Sequence, residues 1–331
     1  MAAAFLSSAN ARGRMISVVR LDQPASTAFA VQEAATDTPV LSADPTAEGP
    51  AAAASDSVTP IPLDLQPEAQ APGISGKIIA AAIYYEGSYY DIPREQTDLI
   101  ADGASIPLMY RGKTVGAATI TQTGIYPCCD LPLAAMAQAS LNENLGDVST
   151  LLAVSGDAAE STRTFRAQIS SGAINSYHQE YVRVGQVGLR KHGVSEDDAA
   201  RAQPAEFAIV QPASGTPILV AGSLVVPRSI PECTDVYNRI ECVRYAFFMV
   251  AGHQDKSLKP ITWSFTDGDD LLTYGWENPV DVIDMDTDGD ADLVTQACDL
   301  EGCSFRIYSY HEGDLTLVFR GTRWLTARQT E

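Results

Sequence analysis

Between Val280 and Val294 the chain reads V-D-V-I-D-M-D-T-D-G-D-A-D-L-V, and no other passage restricts the fold as strongly. Aspartates stand at Asp284, Asp286, Asp288, Asp290 and Asp292, with a glycine at Gly289. Carboxylates crowded at alternate positions repel one another, so a folded loop of this kind needs a cation to hold it together. The flanks Val280–Ile283 and Leu293–Thr295 are rich in β-branched residues and read as strands rather than helices. The passage therefore predicts two strands joined by an acidic loop.

Calcium is the cation this pattern suits, because it takes roughly six to eight oxygens in flexible geometry. Counted from Asp284 as one, the aspartates at one, three and five are Asp284, Asp286 and Asp288, and Gly289 at six permits a sharp turn. Asp290 at seven offers its backbone carbonyl, and Asp292 at nine closes the ring. The bidentate Glu that an EF-hand loop carries at position twelve is replaced here by Thr295. Together with the strand-like flanks, that absence points to a structural clip rather than a calcium switch.

Asp284, Asp286, Asp288, Gly289, Asp292 and Leu293 match the pattern D-x-[DN]-x-D-G-x-x-D-L. At these residues the chain resembles the FG-GAP and VCBS class of repeats. The resemblance implies calcium at the same loop positions, and a strand–loop–strand unit of the kind that forms part of a β-propeller blade in integrin-like and secreted proteins. It covers Val280–Val294 alone and occurs once. Thr266–Leu271 (T-D-G-D-D-L) echoes it without the preceding carboxylates.

The rest of the chain sets broader bounds. Its 331 residues, 45% of them apolar, are enough for one large or two ordinary domains with a real core. A formal net charge of -20 argues against nucleic acid or an anionic membrane as partner, since both would repel it. Six cysteines occur, and Cys298 and Cys303 bracket Asp-Leu-Glu-Gly, a good hairpin turn for a disulfide. Cys233 and Cys242 bracket a polar loop and form the next economical pair, while the adjacent Cys128 and Cys129 are left free or paired elsewhere. A zinc site competes poorly, because C-x2-C spacing is missing.

Disulfides imply an oxidising compartment, so the chain is expected to be secreted, periplasmic or on the cell surface. Met1–Ala11 ends in small residues like a cleavage site, but its apolar run is short and it lacks a positive start. No apolar run reaches the ~18 residues of a membrane span.

Three regions follow from composition. Residues 1–76 read as a disordered segment, rich from Leu21 to Gly76 in Ala, Pro and acidic residues and without Lys or Arg. Residues 77–226 read as a β-rich domain with short helices, and 227–331 as a β domain carrying the acidic loop and the disulfides. Hairpins are predicted over Ile78–Tyr85 and Ser88–Ile92, over Ile106–Tyr110 and Lys113–Thr121, and over Ser304–Tyr310 and Leu315–Arg320. Further strands are expected at Thr162–Ile169, Phe207–Val210, Pro217–Val226, Cys242–Ala251 and Ile261–Phe265. Leu133–Leu145 reads as a helix stopped by Gly146, and Ser195-Glu196-Asp197-Asp198 as a capping box opening a short one. The fold class expected is mainly β, with antiparallel hairpins, a few short helices and a partial propeller-like unit at the C-terminal end.

No catalytic motif emerges: there is no G-x-S-x-G elbow, H-E-x-x-H helix or phosphate loop. His178, His192, His253 and His311 are scattered among polar residues, and acid pairs such as Glu86 and Asp91 are explained by the abundance of acids. Tyr84, Tyr85, Tyr89 and Tyr90 cluster on one hairpin, where aromatic rings pair across strands over a core or stack on a ligand. A calcium-stabilised binding module for a protein or polysaccharide is the expectation. The alternatives are an exported hydrolase with its active site within 77–226 and a purely structural envelope component.

Overall fold

The computed structural model describes residues 14–22, 73–92, 101–125, 134–146, 148, 150–155, 171–210, 218–229, 242–254, 257–268, 276–285, 287–290, 292–299 and 302–322. Its first unit is an antiparallel barrel. The strands are β1 (Arg14–Leu21), β2 (Ile74–Tyr85), β4 (Ser105–Tyr110), β5 (Lys113–Ile125), β6 (Ala134–Leu141) and β7 (Thr150–Val154), with the short β3 (Ser88–Asp91) added beside β2. The order β1-β7-β4-β5-β6-β2 closes through a β1–β2 pairing, giving a six-stranded barrel.

Two four-stranded meanders follow. Sheet B contains β8 (Gln203–Val210), β9 (Leu219–Pro227), β10 (Val243–Gln254) and β11 (Ser257–Asp267). Sheet C contains β12 (Trp276–Ile283), β13 (Asp292–Cys298), β14 (Cys303–His311) and β15 (Asp314–Arg320). Among the described residues two helices, α1 (Ser171–Lys191) and α2 (Glu196–Ala200), lie between the barrel and sheet B in sequence. The mainly β, antiparallel class expected from the sequence is the class observed. The closed unit among the described residues is the barrel, not a ring of blades.

Alternation along the strands explains how the parts stack. Successive residues of a strand point to opposite faces. In β1, Met15, Val19 and Leu21 enter the barrel interior, whereas Ile16 and Val18 face outward onto sheet C. In sheet C, Ile283, Val294, Phe305 and Ile307 meet the barrel. Their strand neighbours Val282, Leu293 and Tyr308 instead meet Val210, Leu219, Phe248 and Val250 of sheet B. Sheet C is thus a middle layer, covered on both faces. The far face of sheet B is closed by α1, through Tyr181 and Leu189 packed with Leu224, Phe247 and Met249.

The X-Gly hairpin turns form as the local sequence demands. Glu86 and Gly87, Arg111 and Gly112, and Glu312 and Gly313 all adopt positive φ, the geometry that matches strand twist in two-residue turns. Ser195 caps α2 by accepting a hydrogen bond from Asp198 N at 3.1 Å. Cys298 and Cys303 are cross-strand partners and form the expected disulfide. Cys242 is also disulfide-bonded. Its expected partner Cys233, the pair Cys128 and Cys129, and the strand expected at 162–169 lie outside the described residues.

Several expectations need correction. The apolar spacing of Leu133–Leu145 and the stop at Gly146 predict a helix, yet Ala134–Leu141 is strand β6. Ala135, Ala137, Ala139 and Leu141 are buried at period two, and small side chains are what the inside of a narrow barrel admits. Gly116 on the next strand meets the backbone of β6 closely, since a Cβ there would lie 2.0 Å from Ser140 O. Arg14–Leu21, inside the segment expected to be disordered, pairs with both β2 and β7 and closes the barrel. The boundary expected at 226/227 lies inside β9 (Leu219–Pro227), which is hydrogen-bonded to β10 in one sheet.

Candidate functional site

The acidic loop joins β12 to β13 at the rim of sheet C, against the barrel. It begins with Asp284 and Met285, both buried, and then turns outward through Thr287 and Gly289, whose φ values are 62° and 95°. A Cβ on Gly289 would meet nothing within 4 Å, so glycine is needed there for its left-handed backbone and not for space. Asp288 Oδ1 accepts a hydrogen bond from Asp290 N at 2.7 Å, a local Asx turn that fixes the loop tip.

Three side chains converge at this tip. Donor atoms of Asp288, Asp290 and His311 lie within 4.8 Å of one another. His311 stands at the end of β14, with its Nδ1 3.7 Å from Asp290 Oδ2. Burial and then the charges of Asp290 and Asp314 push the neighbouring Tyr310 phenol above its ordinary range.

The other aspartates predicted from sequence are placed differently. Asp292 is buried and its Oδ2 accepts a hydrogen bond from Tyr89 OH at 2.6 Å. Asp284 is buried at the loop entrance. Neither belongs to the converging group, and Asp286 lies outside the described residues. Of the five predicted ligands the structure therefore gathers Asp288 and Asp290.

Carboxylate oxygens beside a left-handed glycine turn suit a hard divalent cation such as calcium. The imidazole of His311 adds a nitrogen donor, which zinc or manganese accepts more readily. His311 escaped the sequence reading because its nearness to the loop comes from strand register. Leu293 pairs with Tyr308, and following the ladder one step at a time brings the end of β14 beside the loop.

The loop is also tied to the barrel by groups outside its own motif. The Arg14 guanidinium donates to Met285 O and, at 3.1 Å, to Thr287 Oγ1. Tyr89 packs between the tilted rings of Tyr84, with centroids 4.9 Å apart, and Phe319, at 5.7 Å. Part of the tyrosine cluster thus covers the barrel–sheet C junction, whereas Tyr90 is 47% exposed. Asp91 accepts hydrogen bonds from Thr322 N at 3.1 Å and from Thr322 Oγ1 at 2.7 Å, a structural use.

Deeper in sheet C lies a second polar group, Glu277, which is 3% exposed. Its carboxylate accepts hydrogen bonds from Thr295 Oγ1, from Tyr308 OH at 2.8 Å and from Arg306 Nη1 at 2.6 Å. Burial first, and the Glu277 charge second, push the Tyr308 phenol far up. Ser223 of sheet B donates to the Glu277 carbonyl, so the network links the two sheets. With every carboxylate oxygen engaged, this is an internal fastening.

No helix among the described residues is long and apolar enough to cross a membrane. Comparisons with protein-family models, with curated proteins and with solved structures found no match to this chain.

Proposed function

We propose that this protein is an exported β scaffold of the binding or adhesion type, stabilised by a calcium ion at the loop between β12 and β13. One observation carries the reading: Asp288, Asp290 and His311 bring donor atoms within 4.8 Å at a loop tip held by left-handed Thr287 and Gly289. A cation there neutralises carboxylates that otherwise repel, and its binding energy adds to folding stability by linkage. The FG-GAP and VCBS likeness supports calcium as the ion and a strand–loop–strand clip as its use. The disulfides at Cys298–Cys303 and at Cys242 support an oxidising compartment.

Trp263 supports the binding role. It is 52% exposed on β11, with the His192 ring 4.6 Å away and Phe265 stacked on His192 at 4.7 Å. An exposed indole backed by other rings is suited to stacking on a pyranose of a polysaccharide.

Thermal melting with and without calcium tests the metal reading. Calcium raises the melting temperature, chelation lowers it, and Asp288→Ala abolishes the difference. A melting curve indifferent to chelator overturns the proposal. His311 favours a second reading, a zinc or manganese site. If His311→Ala removes stabilisation by those ions and leaves any response to calcium intact, the nitrogen is a ligand for a softer metal. For the binding role, soluble glycans shift tryptophan fluorescence in the parent and leave Trp263→Ala unchanged. Absence of any shift counts against a polysaccharide ligand.

A further inference from the structure

Among the described residues, sheets B and C have four outer strands, β8, β11, β12 and β15, and they are not treated alike. β8 carries Pro204, β11 carries Pro260 and β12 carries Pro279, each at a shift in strand register. A proline without an N–H, set beside a bulge, blunts an edge that would otherwise pair with another strand. β15, D-L-T-L-V-F-R, has no proline. It also exposes two apolar side chains, Leu317 at 40% and Val318 at 45%. Edges are ordinarily guarded by lysine or proline at such places.

We propose that β15 is the edge through which two copies of this chain pair, antiparallel and related by a two-fold axis near Leu317. The charge pattern selects that occupant and that direction. The turn end of β15 carries Glu312 and Asp314, and the far end carries Arg320. Antiparallel pairing directs each Arg320 toward the acidic end of the second copy, whereas a parallel arrangement sets like charge on like. Within one chain Arg320 lies opposite Arg306, whose guanidinium bonds Glu277, so an opposite charge from outside relieves a like-charge pairing. A two-fold contact requires this kind of self-complementary patch. The register shift between Ile307 and Tyr308 leaves Val318 as the extra residue of β15 and limits the flat stretch. The ladder is therefore short and the dimer depends on concentration. A formal net charge of -20 adds a long-range repulsion that salt screens.

Sedimentation equilibrium of the full chain at physiological ionic strength tests the pairing, with melting curves recorded beside it to show that each variant keeps the fold. The parent shows a monomer–dimer equilibrium, and Leu317→Lys weakens it by about tenfold or more. Arg320→Glu weakens it as well, and Asp314→Lys combined with Arg320→Glu restores it, because the exchanged charges are again self-complementary. The charge exchange carries the test if Leu317→Lys melts early. A chain that is monomeric at every concentration overturns the proposal. So does a dimer indifferent to Leu317→Lys in a folded variant, or one that the double exchange fails to restore.

Discussion

The backbone N–H of Gly112, in the turn between β4 and β5, donates to Asp281 Oδ1 at 2.6 Å. Val282 N donates to the same oxygen at 2.8 Å, while Asp281 Oδ2 is buried with no hydrogen-bond partner among the described residues. One carboxyl thus joins the barrel to sheet C with half its capacity in use. Burial pushes it up to about 7 from 3.8, against the opposing pull of those N–H donors and of the Arg111 charge.

A pH dependence follows from that placement. The folded state holds the Asp281 proton more tightly than the unfolded chain, so the stabilisation is complete below the ordinary carboxylate range. It is lost as pH rises from about 4 through about 7. Linkage over that interval amounts to ~4 kcal/mol at most. Urea unfolding measured across the interval shows stability falling with rising pH, and Asp281→Asn flattens the slope. An unchanged slope in the asparagine variant refutes the assignment to Asp281.

Glu277 presents the converse case, a buried charge with its partners in place. Removing it in Glu277→Ala leaves the Arg306 guanidinium, whose Nε is already buried without a partner among the described residues, with an uncompensated charge. A loss of about 3–5 kcal/mol is expected from such a break. Replacing Glu277 and Arg306 together by leucine costs less than the single change, because no charge is stranded. Denaturant midpoints of the two variants decide the point, and a double variant weaker than Glu277→Ala would falsify it.

Gly188 gives a prediction whose sign departs from helix propensity. Alanine in place of a helical glycine ordinarily stabilises by ~1 kcal/mol. In α1 a Cβ at Gly188 would lie 2.5 Å from Phe247 Cζ, and one at Gly185 would lie 1.9 Å from Leu224 Cδ1. Gly188→Ala is therefore expected to destabilise by roughly 1–3 kcal/mol through overpacking. Circular-dichroism melting of the variant reads the sign directly; a higher midpoint excludes the tight helix–sheet contact.

These same glycines explain why α1 escaped a reading of the sequence. Gly185, Gly188 and the valines among them lower helix propensity, and their reason for being there is the face of sheet B, which sequence spacing does not reveal. β6 failed in the opposite direction, since its alanines favour a helix and only the barrel interior selects a strand. Hairpins with X-Gly turns were legible because their geometry is set within four residues or so. The aspartates of the loop were equally plain as a motif. Their division was not, because Tyr89 and His311 reach Asp292 and Asp290 only through strand order and register.

Sheet C also bears on the order in which the molecule can be completed. Its strands are the last of the described elements in sequence, yet they cover both the outer barrel wall and the inner face of sheet B. Until they are made, both earlier units carry bare apolar surface, the condition under which growing chains aggregate or need chaperones. Assembly therefore ends from the inside, with the final strands serving as keystone rather than as an appended wall.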